Sequence, residues 1–103
     1  MARYAVLYPE LYQFLGGYFH QDWVDSDSFE DVVRDFLARN PAATIRQATR
    51  ELEEFMRLDI PENELRDILR HDLRSYVRAP GMGLTYRQWL EAVLHILKKA
   101  APN

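Results

Sequence analysis

The chain has 103 residues, 48% of them hydrophobic and 28% charged, with a formal net charge of −3. That length and balance set the expectation of one globular domain with a single small core, and they exclude a disordered chain. Cysteine is absent and no apolar run approaches the roughly 20 residues needed to cross a bilayer, which excludes disulfides, thiolate metal sites and a membrane-spanning helix.

Residues 1–7 carry Arg3 but no apolar stretch of secretory length, so they read as a lead-in and the expected compartment is the cytoplasm. Pro9 suits the first turn of a helix, where its missing N–H would have no partner. From there Leu11, Phe14, Leu15, Tyr18 and Phe19 recur at spacings of three and four, which predicts one apolar helical face. This aromatic stretch reads as the centre of a helical core, with an exposed binding face as the alternative. Gly16-Gly17 inside the pattern costs about 1 kcal/mol per glycine relative to alanine, which points to close approach by another element or an early helix end.

A polar turn follows Trp23. Ser28, with Asp31 three residues on, resembles a capping box, and Phe29, Val32, Val33, Phe36 and Leu37 mark a second helix. Asn40-Pro41 reads as the cap and first position of a third helix, which turns Ile45, Ala48, Leu52, Phe55 and Met56 inward. Asp59 is expected to cap a fourth helix with Glu62 answering it, and Leu65, Ile68, Leu69 and Leu73 form its buried face, with Tyr76 following. The loop at 78–83 is rich in breakers. Thr85 and Gln88 then form a capping box for a last helix that buries Trp89, Leu90, Val93, Leu94, Ile96 and Leu97. Lys98 and Lys99 suit the negative end of that helix dipole. The expected fold is therefore all-α: a single compact bundle of about five helices over residues 1–103, with 1–7 as lead-in and 100–103 as a frayed tail.

Catalytic and metal chemistry find little support. His20, His71 and His95 share no ligand spacing. Asp25 and Asp27 open like a calcium loop, but Phe29, Glu30 and Phe36 stand where a ligand, a glycine and the closing glutamate belong. The serines have no nucleophile elbow, and Gly81-Met82-Gly83 has neither the spacing nor the lysine of a phosphate loop. The expectation is a binding module with no catalytic residue, metal or cofactor.

Two charged features remain. Arg66, Arg70, Arg74 and Arg78 recur every four residues and would make a cationic stripe along the fourth helix. That stripe is either a phosphate-contacting face of a small nucleic-acid-associated regulator or a face paired with Glu62 and Asp67; the second is favoured because the chain is acidic and shows no helix suited to reading bases. The second feature is acidic. Asp22, Asp25, Asp27, Glu30, Asp31 and Asp35 fall together with one base, Arg34, so that this stretch carries −5 and the remainder +2. Capping accounts for Glu30 and Asp31, whereas Asp22, Asp25 and Asp27 repel one another beyond what capping needs, which points to complementarity with a basic partner.

The opening run Tyr8-Pro9-Glu10-Leu11-Tyr12-Gln13-Phe14-Leu15-Gly16-Gly17-Tyr18-Phe19-His20-Gln21-Asp22-Trp23 resembles the signature of the contact-dependent growth inhibition immunity proteins, the CdiI family. The Asp/Ser-rich turn before Phe29 and the closing Gly83-Leu84-Thr85-Tyr86-Arg87-Gln88-Trp89-Leu90 are similar to that family's later blocks, so the resemblance runs over about residues 8–98. It implies a small, mainly helical cytoplasmic protein that binds and neutralises the toxic C-terminal domain of a cognate CdiA effector by stoichiometric protein–protein association. A monomer without membrane or direct nucleic-acid contact is the expected form. The resemblance identifies the family and leaves the activity of the toxin open.

Overall fold

The amphipathic spacings close into helices in the computed structural model, which describes residues 3–20, 23 and 28–100. Helices α1 (Arg3–Leu7), α2 (Pro9–Tyr18), α3 (Phe29–Arg39), α4 (Ala42–Arg57), α5 (Glu62–Asp67) and α6 (Tyr86–Ala100) follow one another, with a π-helical turn (Ile68–Asp72) continuing α5 and a 3-10 turn (Ala79–Met82) preceding α6. No strand occurs among the described residues, so the expected all-α bundle is the observed one. Residues 3–7, read as a lead-in, add a short helix. Tyr4 and Tyr8, at either end of it, hold it down by meeting the Phe55 ring edge-on at 5.7 and 5.8 Å.

α2 is the central element. It packs against α3 and α4, both of which pack on α6, and Leu11, Phe14 and Leu15 on its inner face are fully buried. The aromatic stretch is thus core. Phe36, Phe14, Phe19 and Trp89 form a continuous line, with ring centroids 4.2, 6.0 and 5.0 Å apart in that order, and Phe29 meets Trp89 from the side at 6.1 Å. Each such pair adds about 0.5–1.5 kcal/mol beyond the area it buries. Gly16 belongs to this packing because a Cβ there would stand 2.6 Å from the carbonyl oxygen of Leu73. Gly17, where a Cβ would meet nothing, lies one residue before the helix ends at Tyr18.

The first amides of each helix have no partner within it, and the chain supplies partners in two ways. Two are local, as the sequence suggests. The Asp31 N–H donates to Ser28 Oγ at 3.2 Å. The box at α6 is complete, with the Gln88 N–H donating to Thr85 Oγ1 at 3.0 Å and the Thr85 N–H to Gln88 Oε1 at 2.9 Å. Partners for α1, α2 and α6 come also from carboxylates distant in the chain. Glu51, only 4% exposed, accepts from the Leu11 N–H at the start of α2 at 2.9 Å, and Gln47 Nε2 satisfies its second oxygen at 2.9 Å. Asp72 accepts from the Tyr4 N–H of α1 at 3.4 Å.

Glu62 corrects the sequence expectation. It does not answer Asp59; it accepts from the Tyr86 and Arg87 N–H groups at 2.6 and 3.3 Å, capping α6 from the start of α5. Asp59 instead adopts a left-handed backbone (φ 53°), a conformation aspartate tolerates better than most residues, beyond the end of α4. Asn40 also works in the other direction from that expected. Pro41 stands at the cap of α4, while the Asn40 amide donates back to the Phe36 carbonyl at 2.9 Å and to the Tyr18 hydroxyl at 3.0 Å, closing α3.

The largest departure lies beyond Asp67. The periodicity of Leu65, Leu69 and Leu73 predicts a continuous helix, and all three are buried, but the chain widens into the π-helical turn and then leaves helical geometry. Arg74 sits at φ 55°, residues 74–78 have no regular secondary structure, and burial alternates strictly over 73–79: Leu73, Ser75, Val77 and Ala79 are buried, Arg74, Tyr76 and Arg78 exposed. This run is pinned to the entry of the molecule by the Tyr76 N–H, which donates to the Phe19 carbonyl at 2.7 Å, and by Trp23 Nε1, which donates to the Tyr76 carbonyl at 3.2 Å.

Candidate protein-binding surface

Three of the six carboxylates singled out in the acidic stretch are described: Glu30, Asp31 and Asp35. Asp22, Asp25 and Asp27 lie outside the described residues. Ser28 fixes the start of α3 and so fixes where the three emerge: Glu30 and Asp31 in the first turn, Asp35 one turn on. Asp31 is paired with Arg34 at 2.8 Å and Asp35 with Arg39 at 2.7 Å, both exposed pairs along the helix. The hydrogen bond from Arg39 to Asp35, followed by their coulombic attraction, raises the Arg39 pKa above its already high ordinary value. Exposed pairs of this kind contribute little to stability, because solvent screens them. Their electrostatic effect is to leave this part of α3 with one net negative charge, carried by Glu30, which has no ion pair among the described residues. The excess negative charge of the stretch therefore rests on Glu30 and on Asp22, Asp25 and Asp27 of the sequence.

The four arginines do not form one helical stripe, because α5 and its π-helical turn end before the third of them. Arg66 stands on α5 and pairs with Asp67 at 3.1 Å, not with Glu62, which is committed to α6. Arg70 stands on the π-helical turn, Arg74 at the left-handed corner and Arg78 at the end of the irregular segment that follows it. Arg70 and Arg74 converge with His71 and Tyr76 around a surface notch of about 350 Å³. None of Arg70, Arg74 and Arg78 has an ion pair among the described residues.

Tyr76 is the residue that sequence reasoning misplaced. Assigned to follow a buried helical face, it is 48% exposed at the rim of this notch. The signal was the alternation of Leu73, Val77 and Ala79 with Arg74 and Arg78, a period of two obscured by the four-residue spacing of the arginines. Among the described residues no group of three His, Asp or Glu side chains is placed to hold a metal ion.

Comparison with known proteins points in one direction. The profile of the CdiI immunity protein family matches residues 7–97. A chain of the crystal structure titled CdiA-CT/CdiI complex from Y. kristensenii 33638 superposes with a TM-score of 0.79 at 26% sequence identity, covering 87% of this chain and 97% of that one. No curated protein sequence gives a significant match.

Proposed function

The chain belongs to the CdiI immunity protein family, and from that premise we propose that it binds the toxic C-terminal domain of a cognate CdiA effector and neutralises it stoichiometrically, without catalysis. The observation that carries this is the joint match of family and fold: the profile spans 7–97, and the superposed structure is of a complex between CdiA-CT and CdiI. The protein acts as a single-domain monomer in the cytoplasm, and none of the described helices is long and apolar enough to cross a membrane.

Within this reading the acidic stretch is one contact surface. A toxin domain that handles nucleic acid needs basic character, and a concentrated patch of opposite charge speeds and orients encounter with it. Asp25, Asp27 and Glu30 are the stronger candidates of the six, since Asp31 and Asp35 already carry arginine partners. The nucleic-acid reading has lost its main support, because the arginines do not continue along one helix.

The test is co-purification with the C-terminal toxin domain encoded immediately upstream, followed by association kinetics. Changing Asp25 and Asp27 together to Lys is expected to leave the helical circular dichroism unchanged and to slow association about tenfold or more at low ionic strength, with the gap closing as salt is added. An unchanged association rate would remove the acidic stretch from the interface. Failure of the wild-type pair to associate would overturn the function itself.

A further inference from the structure

We propose that the notch of Arg70, His71, Arg74 and Tyr76 is a second contact surface for the partner toxin domain and receives a carboxylate-bearing segment of it, an inference that rests on the reading of this chain as a toxin-binding protein. The first support is charge left uncompensated. The chain has 16 acidic against 13 basic residues, yet the Arg70 and Arg74 guanidiniums have no ion pair among the described residues. The two acids nearest them in sequence are committed elsewhere: Asp67 to Arg66 at 3.1 Å, Asp72 to the Tyr4 amide at 3.4 Å. Each guanidinium presents a fork of N–H donors that matches a carboxylate two bonds at a time.

The second support is how the notch is built. The backbone reaches it through a π-helical turn, a geometry found disproportionately at functional sites. The Leu73 N–H donates to the Ile68 carbonyl at 3.0 Å and the Ser75 N–H to the Leu69 carbonyl at 2.8 Å, which wraps the corner tightly. At that corner Arg74 holds φ 55°, a conformation that glycine would adopt without strain and that arginine rarely takes. Tyr76 is fixed through both its N–H and its carbonyl, while the residue remains 48% exposed. An exposed tyrosine on a pinned backbone, lining the same notch as two arginines that have no ion pair among the described residues, has the composition of a binding hot spot, where little ordering remains to be done on association.

The occupant is protein and not nucleic acid because of shape and total charge. The arginines converge on a notch of about 350 Å³, at the small end of ligand-sized pockets, and do not line up along a phosphate track. The whole chain carries −3, which opposes a polyanion but leaves a short acidic segment presented locally unaffected.

The experiment compares the wild type, the double variant Arg70→Glu/Arg74→Glu and the single variant Arg74→Gly by calorimetric titration with the cognate CdiA C-terminal toxin domain. Thermal midpoints are recorded alongside, and anisotropy with a fluorescent single-stranded RNA serves as a parallel arm. The double reversal is expected to weaken toxin binding about 100-fold or more. Arg74→Gly guards against misfolding as an explanation: it relieves the backbone, so its thermal midpoint is expected to hold or rise, while its affinity falls about tenfold. If both variants bind the toxin domain as tightly as the wild type does, the notch is not a contact surface, and the function stands without it. If the wild type itself does not bind the toxin domain, the function falls and takes the notch with it. Salt-dependent RNA binding that the double reversal abolishes, with toxin affinity untouched, would reassign the notch to phosphate and overturn the proposal.

Discussion

The start of α6 and the segment that follows α5 lie only a few residues apart in the chain and obey different rules. At the start of α6 a local box marks the helix, and Glu62 adds a second cap from α5: Thr85 and Gln88 exchange hydrogen bonds across three residues, and the Trp89 N–H returns to the Thr85 carbonyl at 3.0 Å. Beyond Asp67 the local signal is just as strong for helix, with leucines and arginines each recurring every four residues, and the backbone nevertheless departs. What decides there is distant. The Leu73 carbonyl lies against Gly16, and Tyr76 is hydrogen-bonded to Phe19 and Trp23. A repeating side-chain pattern shows which faces are buried but not the backbone that buries them, and α2 and its exit select that backbone in this region.

The contrast is broken most severely at Gly16. Adding one methyl group there forces the α2 backbone away from the Leu73 carbonyl. Gly16→Ala is therefore expected to destabilise by about 1–3 kcal/mol, as overpacking does. Gly17→Ala, with open space around it, is expected to stabilise by about 0.4–1 kcal/mol. Urea denaturation midpoints of the two variants check this, and equal shifts would mean that Gly16 does not set the path of the later segment.

A smaller effect tests the α6 side. Thr85→Ala removes the acceptor for the third amide of α6 and is expected to cost about 1 kcal/mol. Glu62→Ala frees the first two amides and is expected to cost at least as much. The two caps act on consecutive amides of one turn, so thermal denaturation of the double variant should show a loss that departs from the sum of the single losses by about 0.5 kcal/mol or more.

Smallest is Ser75→Ala. The Ser75 hydroxyl is buried with no hydrogen-bond partner among the described residues, so its removal is expected to change stability by less than about 0.5 kcal/mol or to raise it slightly. Loss of a hydroxyl would then cost about 1 kcal/mol at Thr85 and nothing at Ser75, sharpening the difference between the two regions.

The sequence carried the helical architecture because the core positions of α2, α3, α4 and α6 repeat at helical spacing, and Phe14, Val33, Leu52 and Trp89 are all buried as that spacing requires. The caps at Ser28 and Thr85 were legible for the same reason, with donor and acceptor three residues apart. Glu51, Glu62 and Asp72 were not, since each caps a helix 24 to 68 residues away and no local pattern marks a carboxylate for that work. The candidate surface divides in the same way. Glu30 and its neighbours stood out as a run of like charge, whereas the notch needed the corner at Arg74 before Arg70 and Tyr76 could be seen to share it.

The carboxylates that cap from afar also bear on how the protein comes into being. On a ribosome α1 and α2 emerge first, yet the groups that complete their starts arrive last: Glu51 is made 40 residues after Leu11, and Asp72 is made 68 residues after Tyr4. Until then the nascent chain carries its aromatic stretch without the helices that cover it, and no early portion can settle ahead of the rest. Contacts this distant make folding a late and collective event, completed only when α6, which carries Trp89 into the core, is available. A truncated translation product would thus emerge as an unfolded chain and not as a partial inhibitor.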